Sequence, residues 1–294
     1  MKNPIIVLTG PTASGKTAMS LMIADKYNCE IICADSMTVY RGMNIGTDKP
    51  TPSDMKGIPH HLLDIVDPDE EFNVSIFCKK IKELVDEIHG RGKVPMLVGG
   101  SVMYIDAYVY DYKMPEVAPD IELRKKLEEK TAEELFAQLC EYDPDCEWTV
   151  DRHNKRRLIR AIEVCMATGK PLAKQKSKKP LPGNVLYLSV DCDREELYSK
   201  INKRVDIMFR GGFVDEVREL YKKYDHNTAV QAAGYKQITQ FLDGQISLET
   251  AIEKTKQVHR NYAKRQLTWL RNNPDVQWVK TASDAESLIK QFLL

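Results

Sequence analysis

Residues 10–17 read GPTASGKT, directly after the apolar run Ile5-Ile6-Val7-Leu8. A glycine, four residues and then Gly-Lys-Thr is the spacing of a phosphate-cradling P-loop. Such a loop folds its backbone around an anion, and the helix that follows adds its positive N-terminal end. Gly10, Pro11, Thr12, Ala13, Ser14 and Gly15 form the cradle, Lys16 reaches the phosphate, and the Thr17 hydroxyl is the expected ligand of a magnesium ion. The pattern speaks for phosphate binding and much less for ATP hydrolysis. A P-loop NTPase usually carries a later apolar strand ending in aspartate. The best candidate here, Val94-Pro95-Met96-Leu97-Val98, ends in Gly99-Gly100-Ser101 instead. A departing diphosphate needs the same cradle and no γ-phosphate.

Outward from the loop, short β-rich runs alternate with amphipathic segments. Ile5–Thr9, Ile31–Ala34, His61–Val66, Val94–Val98, Val185–Val190 and Val276–Val279 read as strands. Lys16–Tyr27 and Val74–His89 carry apolar residues at helical spacing. The alternation predicts an α/β fold, a P-loop NTPase-like parallel sheet flanked by helices. Between Pro115 and Pro182 it stops, and the chain reads as highly charged helix closed by a connector over 177–183. Residues 115–182 are therefore expected to form an all-helical insertion, with 1–114 and 183–294 as the catalytic core.

Charge balances over the 294 residues, 43 basic against 43 acidic, so the overall sign names no partner. Its distribution is uneven. Residues 114–147 hold eleven acidic and four basic side chains, 151–180 hold ten basic and two acidic, and 254–271 hold six basic and no acidic ones. Runs of the last kind suit a polyanion. The seven cysteines include no C-x-x-C pair, and all are expected to be thiols of a cytoplasmic protein, although Cys29 with Cys33 or Cys140 with Cys146 lie close in sequence. No run approaches the length of a membrane span, and the N-terminus enters an apolar strand at once.

The second strand leads into Asp35-Ser36-Met37-Thr38. Carboxyl ends of parallel strands border the ligand crevice, so Asp35 is expected beside the P-loop. Position alone leaves three roles open: binding magnesium, accepting a proton, or capping the next turn. His60 and His61, adjacent on a strand, point to opposite faces and read as packing or local hydrogen-bonding residues. Tyr262 and Trp269 suit base stacking or a buried helix face equally.

GPTASGKT, DSMTVYRGMNIGTDKP at 35–50, PHHLLDI at 59–65 and VGGS with Tyr104 together resemble the tRNA dimethylallyltransferase (isopentenyltransferase) family. The likeness continues through NKRRLIRAIEV at 154–164, INKRVDIMFRGGFVDEV at 201–217, AAGYKQ at 232–237 and KRQLTWLR at 264–271. The resemblance implies transfer of a dimethylallyl group from its diphosphate to the exocyclic amine of adenosine 37 in the tRNA anticodon stem-loop, by a cytoplasmic monomer using Mg2+. It implies Asp35 as general base and Ser101 as hydrogen-bond donor to the bridging oxygen, with Lys16 and Arg204 on the diphosphate. Asp35, Ser36, Met37, Thr38 and Ser101 would meet the target nucleotide, and Arg124, Arg156, Arg157 and Arg160 the rest of the tRNA. The family usually has glutamine where Thr38 stands and threonine where Ser101 stands; the second change keeps the hydroxyl. The competing readings are a small-molecule P-loop kinase, a transferase prenylating free adenine nucleotides, and a non-catalytic RNA-binding protein. The basic helices and the Gly-Gly-Ser strand end argue against the first, the helical insertion against the second, and Lys16, Thr17 and Asp35 against the third.

Overall fold

The computed structural model describes residues 2–113, 115, 117–172, 178–224 and 231–294. Elements follow in the order β1 (Ile5–Thr9), α1 (Lys16–Lys26), β2 (Cys29–Cys33), β3 (His60–His61), α2 (Val74–Gly90), β4 (Val94–Gly99), α3 (Val102–Val109), α4 (Ile121–Glu128), α5 (Ala132–Tyr142), α6 (Cys146–Thr149), α7 (Lys155–Thr168), β5 (Val185–Val190), α8 (Arg194–Arg210), α9 (Phe213–Lys223), α10 (Tyr235–Leu242), α11 (Leu248–Arg271), β6 (Gln277–Val279) and α12 (Ala282–Leu293). They divide into two compact units, one of residues 1–109 with 181–294, the other of residues 110–180.

The first unit is built on a six-stranded parallel sheet ordered β3-β2-β4-β1-β5-β6. Every residue of β1 and β5 is buried, as expected of central parallel strands covered on both faces. Ile6 lies opposite Met96 on one side and Leu186 on the other, so the P-loop strand is clamped between two apolar neighbours. Ile6, Leu8, Ile23, Ile31, Met96, Leu188 and Ile289 form one face of the core. From β1 the chain runs outward through β2 and β3 to one edge, and from β4 it runs through β5 and β6 to the other. The order therefore reverses between β1 and β4, and a crevice opens there at the carboxyl ends of the strands. On α11 the buried positions Ala251, Thr255, His259, Ala263 and Leu267 recur every fourth residue, giving one inward stripe along the helix.

One strand expectation needs correction. The run His61–Val66 is not a strand: β3 is only His60–His61, and Val66 forms an isolated bridge to Tyr40. Leu62 and Asp64 have φ of 64° and 52°, outside the extended region, so an apolar run is broken by its backbone. The histidines bind locally, His60 Nδ1 to Ile58 O and His61 Nε2 to Glu30, each at about 2.8 Å or less. Among the described residues no helix is long and apolar enough to cross a membrane.

Glu30 is a carboxylate inside β2, 3 % exposed, and the sheet tolerates it because cations surround it. Arg91 donates from Nε and Nη2 at 3.2 and 2.7 Å, with His61 at 2.7 Å and Lys93 at 3.2 Å. The Arg91 hydrogen bonds, helped by His61 and Lys93 against the opposing effect of burial, hold its pKa at about 2, against an ordinary 4.5. A depressed carboxylate contributes stability that is complete above about pH 4.5 and lost as pH falls towards 2. Glu30→Gln leaves Arg91 and Lys93 without their counter-charge and is expected to cost about 3 kcal/mol. Urea melts between pH 3 and 7 check it: the variant should be weaker at pH 7 and lose less on acidification.

The second unit packs α4, α5 and α7 around Leu127, Leu135, Leu139, Leu158 and Ile162. Cys140 and Cys146 are joined as a disulfide there, which corrects the expectation of seven free thiols. Their Cα atoms lie 5.8 Å apart, inside the span a disulfide bridges, because α5 ends and α6 begins within that short interval. Cys29, Cys33, Cys78, Cys165 and Cys192 are not joined in disulfides. Of the lysines in the connector region, Lys174 and Lys176 lie outside the described residues, as does the connector residue Ser177.

Candidate active site

A cavity of about 430 Å³ opens at the carboxyl ends of β1, β2 and β4. Thr12 to Thr17 line one side, Asp35 and Thr38 another, and Asp48, Gly99, Gly100, Arg204, Tyr262 and Gln266 also border it. The loop turns on a Ser14 N–H bond to Pro11 O at 3.2 Å and runs straight into α1, whose N-terminus has no side-chain cap. Its first-turn N–H groups are therefore available to an anion. Lys16 Nζ donates to Pro11 O at 2.8 Å across the cradle. Burial, then the neighbouring Arg204 cation, lowers the Lys16 pKa to about 8, only partly opposed by Asp35. A cation so destabilised gains from an arriving anion.

Arg204 is brought to the loop from α8, 192 residues away in sequence. Its Nη1 donates to Thr12 Oγ1 at 2.8 Å, Nη2 to Thr47 O at 3.4 Å, and Nε lies 3.5 Å from Asp48 Oδ2. The Thr47–Asp48 loop is itself held by Glu216 of α9, which accepts N–H bonds from Asn44, Ile45 and Gly46 at 2.9, 2.6 and 3.1 Å. Tyr235 O–H donates to the same carboxylate at 2.7 Å. Segments far apart in the chain thus converge on one guanidinium.

Asp35 caps its own turn: Oδ1 accepts from Met37 N–H at 2.8 Å and Thr38 N–H at 3.3 Å. The carboxylate also lines the cavity, so capping does not remove it from the site. Ser36 N–H donates to Ser101 Oγ at 3.0 Å, and the Ser101 hydroxyl also hydrogen-bonds to Tyr262. Ser36 and Met37 are partly buried in this turn. Gly99 is required where β4 passes β2, because a Cβ there would collide with the Ala34 carbonyl. Ser14 Oγ and Thr38 Oγ1 are buried without a hydrogen-bond partner, orphans of the kind a ligand satisfies. Thr17, Asp35 and Asp48 offer only oxygen ligands, the donor set that magnesium takes. Tyr262 O–H donates to Gly100 O at 3.3 Å, and Trp269 Nε1 to Asp106 at 2.6 Å, so both rings are anchored by their polar tips.

The arginines of the second unit fall into two kinds. Glu163, 1 % exposed, accepts both Nε and Nη2 of Arg124 at 2.9 and 2.8 Å, a bond from Arg160 Nη1, and the Asp120 N–H at 2.7 Å. Burial pushes the Glu163 pKa up, but Arg124, Arg160 and the Asp120 N–H together outweigh it and hold it below the ordinary range. Arg160 Nη2 also donates to Val117 O at 2.9 Å. Arg124 and Arg160 thus have a structural partner that sequence spacing did not reveal. Arg156 and Arg157, one turn earlier on α7, are exposed.

Sequence reasoning passed over Gln266, Glu216, Thr47 and Asp48 as individual residues. Each sits inside a segment that carried the family likeness, but its partner lies 157 to 254 residues away or on a loop with no pattern of its own.

Residues 38–273 match the family model described as IPP transferase. The tRNA dimethylallyltransferase of Bacillus subtilis (strain 168) is 40 % identical over 297 residues, covering 99 % of this chain and 95 % of that protein. That of Oceanobacillus iheyensis is 44 % identical over 287 residues, covering 95 % and 92 %. The crystal structure of the full-length tRNA isopentenylpyrophosphate transferase from Bacillus halodurans superposes with a TM-score of 0.76 at 38 % identity, covering 99 % and 97 %. A eukaryotic dimethylallyltransferase, solved acting on tRNA, superposes at 0.80 with 29 % identity, covering 98 % of this chain and 76 % of its own.

Proposed function

The chain belongs to the IPP transferase family, and we infer from that membership and from its cavity that it is a tRNA dimethylallyltransferase. It moves a dimethylallyl group from dimethylallyl diphosphate to the exocyclic amine of adenosine 37, beside the tRNA anticodon. One arrangement carries the reading: a phosphate cradle and a carboxylate share one cavity, and the Ser36–Ser101 hydrogen bond ties the turn that carries the carboxylate to the end of β4.

In the reaction the N6–C1 bond forms as the C1–O bond to diphosphate breaks, and that electron pair passes to the bridging oxygen. Ser101 turns its hydroxyl to donate a hydrogen bond to that oxygen as charge grows there, while Lys16, the loop N–H groups and Arg204 hold the rest of the leaving group. Thr17 with diphosphate oxygens would hold magnesium, which when bound supplies positive charge against the leaving group. The adenine amine is a poor nucleophile and becomes acidic only as the new bond develops. Asp35 orients it and takes its proton late, when little basicity is required. The adenine must leave its stack to reach the cavity, at a cost of a few kcal/mol that is smallest in an unpaired loop. Phosphate contacts from the tRNA-facing cations offset that cost. The enzyme so read is a cytoplasmic monomer that needs no membrane.

Arg156 and Arg157 are the cleaner test of tRNA contact, since removing Arg160 or Arg124 also strips buried Glu163 of a partner. Arg156→Ala with Arg157→Ala is expected to weaken tRNA binding and lower the log–log salt slope by about 1 to 2, with melting unchanged. Filter binding between 50 and 300 mM salt reads it, and an unaltered slope would contradict these contacts. The function itself is tested with dimethylallyl diphosphate labelled in the allyl group, offered tRNA, AMP or no acceptor. Label should enter tRNA alone; label confined to AMP, or ATP consumption without transfer, overturns the reading.

A further inference from the structure

We propose that Gln266 is the positioning residue that locks the diphosphate side of the cavity to the acceptor side. It lies on α11, only 4 % exposed, and bridges two backbone groups. Its Oε1 accepts the Thr12 N–H at 2.9 Å, and its Nε2 donates to Gly100 O at 2.7 Å. Chemistry forces this orientation of the amide, because a backbone N–H can only donate and a carbonyl can only accept. A glutamate would face the Gly100 carbonyl with a second acceptor, and a lysine would face the Thr12 N–H with a second donor. A primary amide of this length satisfies both.

Each partner is a step from the chemistry. Thr12 is the residue whose hydroxyl accepts from Arg204, so holding its backbone fixes the position of the diphosphate arginine. Gly100 precedes Ser101, whose Oγ accepts from Ser36 N–H beside Asp35. One side chain therefore joins the cradle that grips the leaving group to the turn that carries the general base. Gly100 itself is explained by this contact: a Cβ there would fall within collision distance of Gln266 Nε2, and no other group crowds it as closely. Tyr262, one helical turn earlier, brings its hydroxyl to the same carbonyl at 3.3 Å. Displacement of reacting groups by about 1 Å costs on the order of 10²-fold in rate, so a clasp of this kind acts on rate without touching substrate.

The inference rests on the transferase reading above, and the experiment separates the two. Gln266→Met keeps the shape of the side chain and removes both hydrogen bonds. Gly100→Ala attacks the same contact from the other side with Gln266 intact, so the test stands if either variant folds poorly. Steady-state transfer is measured with dimethylallyl diphosphate and tRNA varied separately, and melting temperature is recorded alongside. Each single variant should lower kcat/KM for the diphosphate by about 10²-fold, with KM for tRNA within about twofold and melting shifted by only a few degrees. Gly100→Ala added to Gln266→Ala should cost about threefold or less beyond Gln266→Ala alone, because the contact is already gone. Unchanged diphosphate kinetics, equal losses for both substrates with a collapsed melting temperature, or fully multiplicative losses would each overturn the proposal. A wild-type enzyme that fails to label tRNA contradicts the transferase reading instead.

Discussion

Asp35→Asn is expected to lower the rate of transfer by about 10³-fold while tRNA binding stays within about twofold. The substitution separates the two things the carboxylate does. Asparagine keeps an oxygen for the Met37 and Thr38 N–H groups that Asp35 Oδ1 now serves, so the turn survives. It loses the negative charge and the capacity to take the amine proton. Asp35→Ala loses the turn as well and should add about 1 kcal/mol of destabilisation. Single-turnover transfer with saturating tRNA reads the chemical step, and a gel-shift titration reads binding. Turnover within threefold of wild type would leave Asp35 as a turn cap and nothing more.

Lys16→Met is expected to reduce kcat/KM for the diphosphate by about 10² to 10³-fold. The pH profile carries a second signature. In the free enzyme Lys16 titrates at about 8, lowered first by burial and then by Arg204. The cation is the binding form, so kcat/KM for the diphosphate should be level below that pH and fall as pH rises through it. A bound diphosphate restores the charge, so kcat should stay level further into the alkaline range. In the Lys16→Met enzyme the alkaline limb should vanish. Persistence of the same limb in the variant would assign it to another group.

What the sequence makes legible is what is encoded locally. β1 and β5 have the bounds their apolar runs predict, since central parallel strands are buried on both faces and show it in composition. The phosphate loop is read from eight consecutive residues because holding an anion fixes the two glycines, the lysine and the hydroxyl residue at set spacing. His61–Val66 misled for a definite reason: its apolar content reflects burial near the site, whereas Leu62 and Asp64 take left-handed backbone angles that no periodicity reports. The pairing of Arg124 and Arg160 with Glu163 was equally invisible, because a charge-rich helix looks solvated until a buried carboxylate is found beneath it. Gln266 shows the limit most clearly. Its amide matters through a partner 254 residues away, and only the fold brings that partner within 2.9 Å.

The proposed reaction turns on the loop at 10–17 gripping a departing diphosphate while Asp35 directs the adenine amine onto the allylic carbon. The most direct measurement is a crystal structure of the enzyme with an anticodon stem-loop and an unreactive thiolo analogue of dimethylallyl diphosphate. The expected result has the diphosphate within the Thr12–Thr17 cradle against Lys16 and Arg204, Ser101 Oγ at the bridging atom, and an unstacked adenine N6 hydrogen-bonded to Asp35. A diphosphate bound outside the cradle, or an adenine that stays stacked in its loop away from Asp35, would contradict it.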